Sequence, residues 1–353
     1  MSAGAAADFW RVAAALARAP EADSRIAAAP KTRVMRRDKA SLWRYRPTAP
    51  DAGLAPLLIV HGLVGRPGIV DLDPERSVVR ALLARGVDVW RADWGAPDRN
   101  DRFLRFEDYV LDYLGGFVAA ITARAGRRPA LMGVCEGGVF CACLGALAPA
   151  SVAGLALCVT PIDCHASPDA PLARLARSMP PQTLSAMIDA LEGLPGGALG
   201  AVFQGLTPAR SLEKYSLGLL ATEGRPERLA HFLRMERWLA DRPHHPQEAA
   251  KQLVIELYHE NRLARGCFTL DSRTVDLAAI TAPVLSVIGL RDHLVPPPCA
   301  RALAPMLRAP WRELALDAGH IGVFVSRRAR GVAAAGVADW LGDQAVRAAS
   351  RVG

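Results

Sequence analysis

Five short, mostly apolar runs of the chain end in turn residues: PLLIVHG (56–62), VDVWRADWG (87–95), PALMGVCEGG (129–138), VAGLALCVTP (152–161) and APVLSVIGLRD (282–292). A strand with one wet face alternates between apolar and polar residues. A strand buried on both faces does not, so these runs predict the inner strands of a parallel sheet. Between them, PERSVVRALLARG (74–86) and FEDYVLDYLGGFVAAITARAG (106–126) read as helices. Strand, helix, strand, helix in that order implies a parallel α/β sheet, with the loops after its strands gathered along one edge. The pattern breaks after Pro161. From about 163 to 267 the text is helical, as in APLARLARSMPPQTLSAMIDALEGLPGG and RLAHFLRMERWLADRP, and it is too long for a loop. It reads as a helical cap inserted between two strands, with the sheet resuming at VDLAAITAPVLSVIGL.

The expected organisation is a first part of the core at 51–162, the cap at 163–267 and a second part of the core at 268–353. Residues 1–50 read as a basic extension, in which the alanines with Phe9, Trp10 and Val12 suggest an amphipathic helix. No internal repeat is visible.

Composition narrows the picture. A chain of 353 residues that is 51% hydrophobic can build a large core, and 22% charged residues is not a disordered composition. Residues 137–162 carry no charge and could span a bilayer by length. Pro149, Ser151, Gly145 and Gly154 break that stretch, which fits a buried helix, a turn and a buried strand, so no membrane span is expected. Of the net charge of +8, six units fall within residues 1–50. This reads as a solvated extension, or as a surface that attracts anions such as CoA phosphates. There is no zinc-finger spacing, RNP motif or basic recognition helix, so nucleic acid is not an expected partner. Seven cysteines at scattered spacing do not form a disulfide framework and fit a reduced, cytoplasmic setting. The N-terminus lacks the basic start and long apolar run of a signal peptide.

The candidate chemistry sits in Gly133-Val134-Cys135-Glu136-Gly137, directly after an apolar strand. A nucleophile flanked in this way sits on a sharp strand-to-helix turn, where glycines relieve the crowding. Chance supplies roughly 0.05 such patterns in a chain of this composition, so the match carries information. A thiol needs a base, and the base needs an orienting acid. In the α/β-hydrolase fold the order is nucleophile, acid, histidine, and Cys135, Asp292 and His320 satisfy it. The expected fold is therefore an α/β-hydrolase, with a mostly parallel sheet, helices on both faces and the inserted cap.

The oxyanion of a tetrahedral intermediate would be met by the backbone N–H of Glu136 and by that of Leu63 in HGLVG. The Glu136 carboxylate is expected to point away from the thiol, because facing it would raise the thiol pKa. His293 is expected to turn away from the side that Asp292 faces. Asp317 is a weaker acid candidate, since no strand end presents it. His61 reads as structural, His244 and His245 lie in a Pro-flanked cap loop, and Cys141 and Cys143 read as core packing. No cluster has zinc spacing, and no cofactor is called for.

Taken together, LLIVHGLVGRPGIVDLDPERSVVRALLARGVDVWRADWGAPD, GVCEGG, VTPID, FLRMERWLADRP, VDLAAITAPVLSVIGLRDHLVPP and DAGHIGVFVS resemble the polyhydroxyalkanoate synthases, especially the short class III catalytic subunit. The resemblance runs from about residue 30 to residue 342. It departs from the family pattern at His61-Gly62, where family members often carry tyrosine-alanine. It also departs at Gly65 (often asparagine), Gly68 (often aromatic) and Glu136 (commonly glutamine). The resemblance implies polymerisation of 3-hydroxyacyl-CoA with release of CoA through a Cys135 thioester. It further implies a cap that supports a homodimer, a second and dissimilar subunit, and a location at polymer granules. Two other readings remain open at the level of sequence: a thioesterase, esterase or depolymerase on the same scaffold, or a non-catalytic subunit that binds granule or partner.

Overall fold

A computed structural model describes residues 26–206, Thr222 and residues 225–349. The helix expected around Phe9, Trp10 and Val12 lies outside the described residues. Eight strands form the main sheet: β1 (Lys31–Arg37), β2 (Ala40–Tyr45), β3 (Leu57–His61), β4 (Val89–Asp93), β5 (Ala130–Val134), β6 (Gly154–Cys158), β7 (Val284–Gly289) and β8 (Trp311–Leu316). Their order is β1-β2-β4-β3-β5-β6-β7-β8. The β1–β2 and β2–β4 pairs are antiparallel and the other five are parallel. Every residue of β3, β5, β6 and β7 is buried, which is why these strands read as continuous apolar runs.

Two strands correct the sequence reading. Residues 31–45, assigned above to the basic extension, supply β1 and β2 of the sheet. Strand β1 is an edge strand, KTRVMRR, with much of its length exposed; its charges hid the strand and are what a sheet edge needs to stay unpaired. The helix expected over 74–86 is shorter. Asp71–Asp73 pairs with Arg76–Ser77, and α1 (Val78–Leu83) starts only where the Ser77 hydroxyl accepts the Arg80 N–H.

Helices cover both faces. A π-helical segment, Asp108–Leu114, runs into α2 (Gly115–Ala125), and α3 (Glu136–Leu147) follows β5. These pack on one face, around Phe106, Tyr109, Phe117 and Phe140. Helix α1 packs on the other face with the C-terminal helix described below, around Val79, Leu82, Val337 and Trp340.

The cap contributes α4 (Pro171–Arg177), α5 (Pro181–Ala190), α6 (Gly196–Leu206), α7 (Pro226–Ala240) and α8 (Gln247–Lys251), which continues as π-helical Gln252–His259. Its strand content among the described residues is one two-residue bridge, Gly193–Leu194 with His245–Pro246. Asn261 ties the two ends of the cap together: its side-chain amide donates to Asp163 at 2.8 Å, and its carbonyl accepts the Cys164 N–H at 2.9 Å. The chain then adds α9 (Pro297–Arg301), α10 (Gly322–Val325) and α11 (Ala329–Ala349), the last being the partner of α1. No described helix is long and apolar enough to cross a membrane.

Candidate active site

The register Leu57↔Ala130 to His61↔Val134 sets the ends of β3 and β5 level, so the loop after His61 lies beside Cys135. Cys135 occupies the sharp turn between β5 and α3 with φ 54° and ψ −119°, a left-handed conformation unusual for a non-glycine residue. The turn is held from both sides. The Cys135 N–H donates to the Cys158 carbonyl at 2.9 Å, and the Cys135 carbonyl accepts the Gly138 N–H at 2.9 Å. A Cβ on Gly137 would be driven into the Val60 carbonyl, so this position tolerates only glycine.

The acid and the base meet as the chain order requires. Asp292 is buried just beyond β7. Its Oδ2 accepts from His320 Nδ1 at 2.7 Å, and its Oδ1 accepts the N–H groups of Leu294 at 2.9 Å and Val295 at 3.0 Å. The His320 tautomer is thereby set, with Nδ1 protonated. His320 lines the same cavity as Cys135 and interacts with it electrostatically. Burial opposes a charged His320, but neighbouring Cys135 and the Asp292 carboxylate outweigh it and lift its pKa to about 10. By contrast, burial alone pushes the Cys143 thiol up, and that of Cys158 up to about 12. Cys141 and Cys143 are fully buried in the core.

The rival candidates fall elsewhere. Asp317 is 80% exposed and pairs with Arg291 at 2.7 Å. His61 is buried at the end of β3, and desolvation lowers its pKa to about 4, so it is neutral. His293, expected to turn away, lines the same cavity as Cys135 and His320. His244 Nε2–H donates to the Glu192 carbonyl at 2.8 Å. Among the described residues no group of His, Cys, Asp or Glu could hold a metal ion.

Two expectations need correction. The Glu136 side chain does not simply point away, and the Leu63 N–H is not open to a substrate in this conformation. Glu136 is 2% exposed. Its Oε2 accepts the N–H groups of Leu63 at 2.6 Å and Val64 at 3.3 Å, and its Oε1 lies 2.9 Å from His245 Nε2. A carboxylate taken out of water has to find donors, and the nearest are the amides of the HGLVG loop. His245 is fully buried and was passed over as a cap-loop residue. The one available sign was a histidine enclosed by prolines, too weak to indicate a partner so distant in sequence. Trp94 and Trp238 were missed as well. The Trp94 indole donates to the His61 carbonyl at 2.6 Å and the Trp238 indole to the Arg66 carbonyl at 2.8 Å, clamping the loop from the core and from the cap.

Above the thiol lies a cavity of about 810 Å³. Its floor holds Cys135 and His320. Its walls are largely apolar cap residues, including Leu172, Leu184, Ile188, Leu199 and Trp238, with Tyr258 and Val295 nearer the base. A nucleophile with an oriented base below an apolar chamber suits acyl transfer on a hydrophobic substrate.

Comparison with known proteins accords with this geometry. A family model described as alpha/beta hydrolase fold matches residues 55–326. The poly(3-hydroxyalkanoate) polymerase subunit PhaC of Allochromatium vinosum is 36% identical over 319 residues, covering 89% of each chain. PhaC of Synechocystis is 34% identical, covering 92% of this chain and 87% of its own. The chain belongs to the poly(3-hydroxyalkanoate) polymerase family. Beyond this polymerase family the likeness is one of fold alone. A monoacylglycerol lipase of Paleococcus ferrophilus superposes with a TM-score of 0.51 at 18% identity, covering 86% of this chain and 99% of the lipase. A bacterial membrane phospholipase A gives a TM-score of 0.50 at 16% identity, covering 94% of this chain and 93% of the other.

Proposed function

We propose that this chain is the catalytic subunit of a polyhydroxyalkanoate synthase that joins short 3-hydroxyacyl units, such as those of 3-hydroxybutyryl-CoA, into polyester. His320, oriented by Asp292, takes the Cys135 proton. The thiolate attacks the thioester carbonyl of the substrate, and CoA leaves with the proton that His320 returns. The acyl group is then a Cys135 thioester. His320 next removes the proton from the 3-hydroxyl of a further unit, whose oxygen attacks an enzyme-bound acyl carbonyl. An ester bond forms and a thiol is released.

Cysteine suits this sequence. Exchange between two thioesters is nearly isoenergetic and keeps the acyl group activated, and the more stable oxygen ester draws the second step forward. Water is the competing nucleophile, and the apolar cap walls serve to keep it out. The observation that carries the reading is Cys135 sharing an apolar chamber with a His320 held by Asp292. The relatives' designation as subunits supports a second, dissimilar subunit as partner. A homodimer through the cap and a cytoplasmic location at the polymer granule complete the proposal.

The test is release of CoA from 3-hydroxybutyryl-CoA with identification of the product, for wild type and Cys135→Ala, with and without a second synthase subunit. Polymer from wild type alone supports the proposal. Free hydroxy acid in place of polymer moves the chain to the hydrolases. No release with any acyl length leaves a binding subunit.

A further inference from the structure

Glu136 and His245 are both buried and meet at 2.9 Å across 109 positions of the sequence. The acyl-transfer steps above use neither side chain. Their placement nevertheless bears on the oxyanion. In this fold the oxyanion rests between the first N–H of the helix after the nucleophile and an N–H of the loop after β3. Here the loop N–H of Leu63 is directed at Glu136 Oε2, 2.6 Å away, with the Val64 N–H at 3.3 Å on the same oxygen. The contact between loop and carboxylate is close: a Cβ on Gly62 would stand 2.5 Å from Oε2, so a larger residue there would have to displace the Glu136 side chain.

An amide N–H serves one well-aligned acceptor at a time, and a carboxylate competes strongly for it. A fixed negative charge at this spot also opposes the negative charge that develops on the acyl oxygen. The carboxylate is kept in place because burial demands partners, and it has three: two loop amides and His245. The third belongs to the cap. Its backbone pairs with Gly193–Leu194, and neighbouring His244 is anchored at the Glu192 carbonyl. The cap thus holds the far oxygen of a group whose near oxygen covers the loop amide.

We propose that the Glu136 carboxylate, held by His245 of the cap, occupies the loop half of the oxyanion hole, so that acyl transfer at Cys135 is restrained until movement of the cap draws the carboxylate away. This rests on Cys135 being the acylated nucleophile, but not on the identity of the natural substrate.

The experiment compares two reactions of the Cys135 thiol. Acylation by 4-nitrophenyl butyrate passes through a tetrahedral oxyanion. Alkylation by iodoacetamide displaces iodide at a saturated carbon and forms none. Their rate ratio cancels any change in thiolate fraction. Glu136→Gln removes the charge and weakens the acceptor, and it should raise the ratio about tenfold or more, a fraction of what one oxyanion donor is worth. His245→Ala, which removes the cap's hold on Oε1, should raise the ratio by less. An unchanged or lower ratio in Glu136→Gln overturns the proposal, and a rise there without one in His245→Ala overturns the part given to the cap. Should the variants fail to fold, the wild type can be crystallised with Cys135 butyrylated. The Leu63 N–H should then reach the acyl oxygen, whereas a retained Leu63–Glu136 bond overturns the proposal. A ratio that rises in both variants, in a protein whose wild type makes no polymer from 3-hydroxybutyryl-CoA, refutes the synthase function and leaves this inference standing.

Discussion

Strands β3, β5, β6 and β7 bury every one of their residues, whereas in the cap α5 buries only Leu184 and Ile188, α7 buries only Trp238 and α6 buries none. Both regions are rich in apolar side chains, yet they use them differently. The sheet turns its apolar residues inward on both faces and fixes the ends of its strands, so that Cys135, Asp292 and His320 emerge at set positions. The cap turns many of its apolar residues toward the cavity. Leu175, Met187, Leu191 and Val202 line it and remain substantially exposed. The difference teaches that the reacting atoms are placed by the tightly packed half, while the cap supplies an apolar wall that can give way.

If the sheet alone places the chemistry, damage there should be severe and damage to the cap wall mild. Cys135→Ala should lower CoA release by about 10⁶-fold, the scale on which a lone nucleophile matters in a triad. Asp292→Asn should cost about 10⁴-fold in kcat, since the amide would favour the wrong His320 tautomer; retention of most activity would mean that another acid orients the ring. Gly137→Ala should destabilise the fold by about 1–3 kcal/mol in thermal or denaturant unfolding, because its Cβ meets backbone rather than a yielding side chain.

A smaller effect concerns pH. The folded His320 pKa of about 10 lies above its ordinary 6.5. Its stabilising contribution is therefore complete below about pH 6.5 and is lost as pH rises through 10. Melting temperature should fall across that window in the wild type and fall less in Cys135→Ala, which removes the largest of the influences that raise it. Smallest of all, Met187→Ala at a 48% exposed cap position should alter stability by about 0.5 kcal/mol or less, while shifting KM between short and long acyl-CoA substrates. A large loss of stability there would show that the cap wall is as tightly built as the sheet.

The same contrast governs what the sequence reveals. The inner strands were legible because burial on both faces leaves almost no polar residue within them. The turn at Cys135 was legible because its glycines are required by close contact with backbone, as at Gly137. Strands β1 and β2 were not, since an exposed edge strand such as KTRVMRR carries the residues of a solvated tail. The bond between Glu136 and His245 was not legible either. Each residue alone is an ordinary polar group, and only the folded chain brings the cap loop against the first turn of α3. The meeting of His320 with Asp292 was legible from chain order and strand ends, both local signals. The contacts that tune the loop after β3, from Trp94, Trp238 and Glu136, are long-range and leave no periodic trace.

The cavity above Cys135 has a limited volume of about 810 Å³. On the synthase reading its product has no fixed size. A vessel of limited capacity that receives one unit after another must discharge at the same pace. The finished part of the chain therefore has to slide outward while its reacting end stays at the thiol. The exposed leucine and methionine side chains that line the cavity then act as the lip of a nozzle rather than as the rim of a cup. The enzyme would work as an extruder, and the length of its product would be set by how long the end stays attached rather than by the room available.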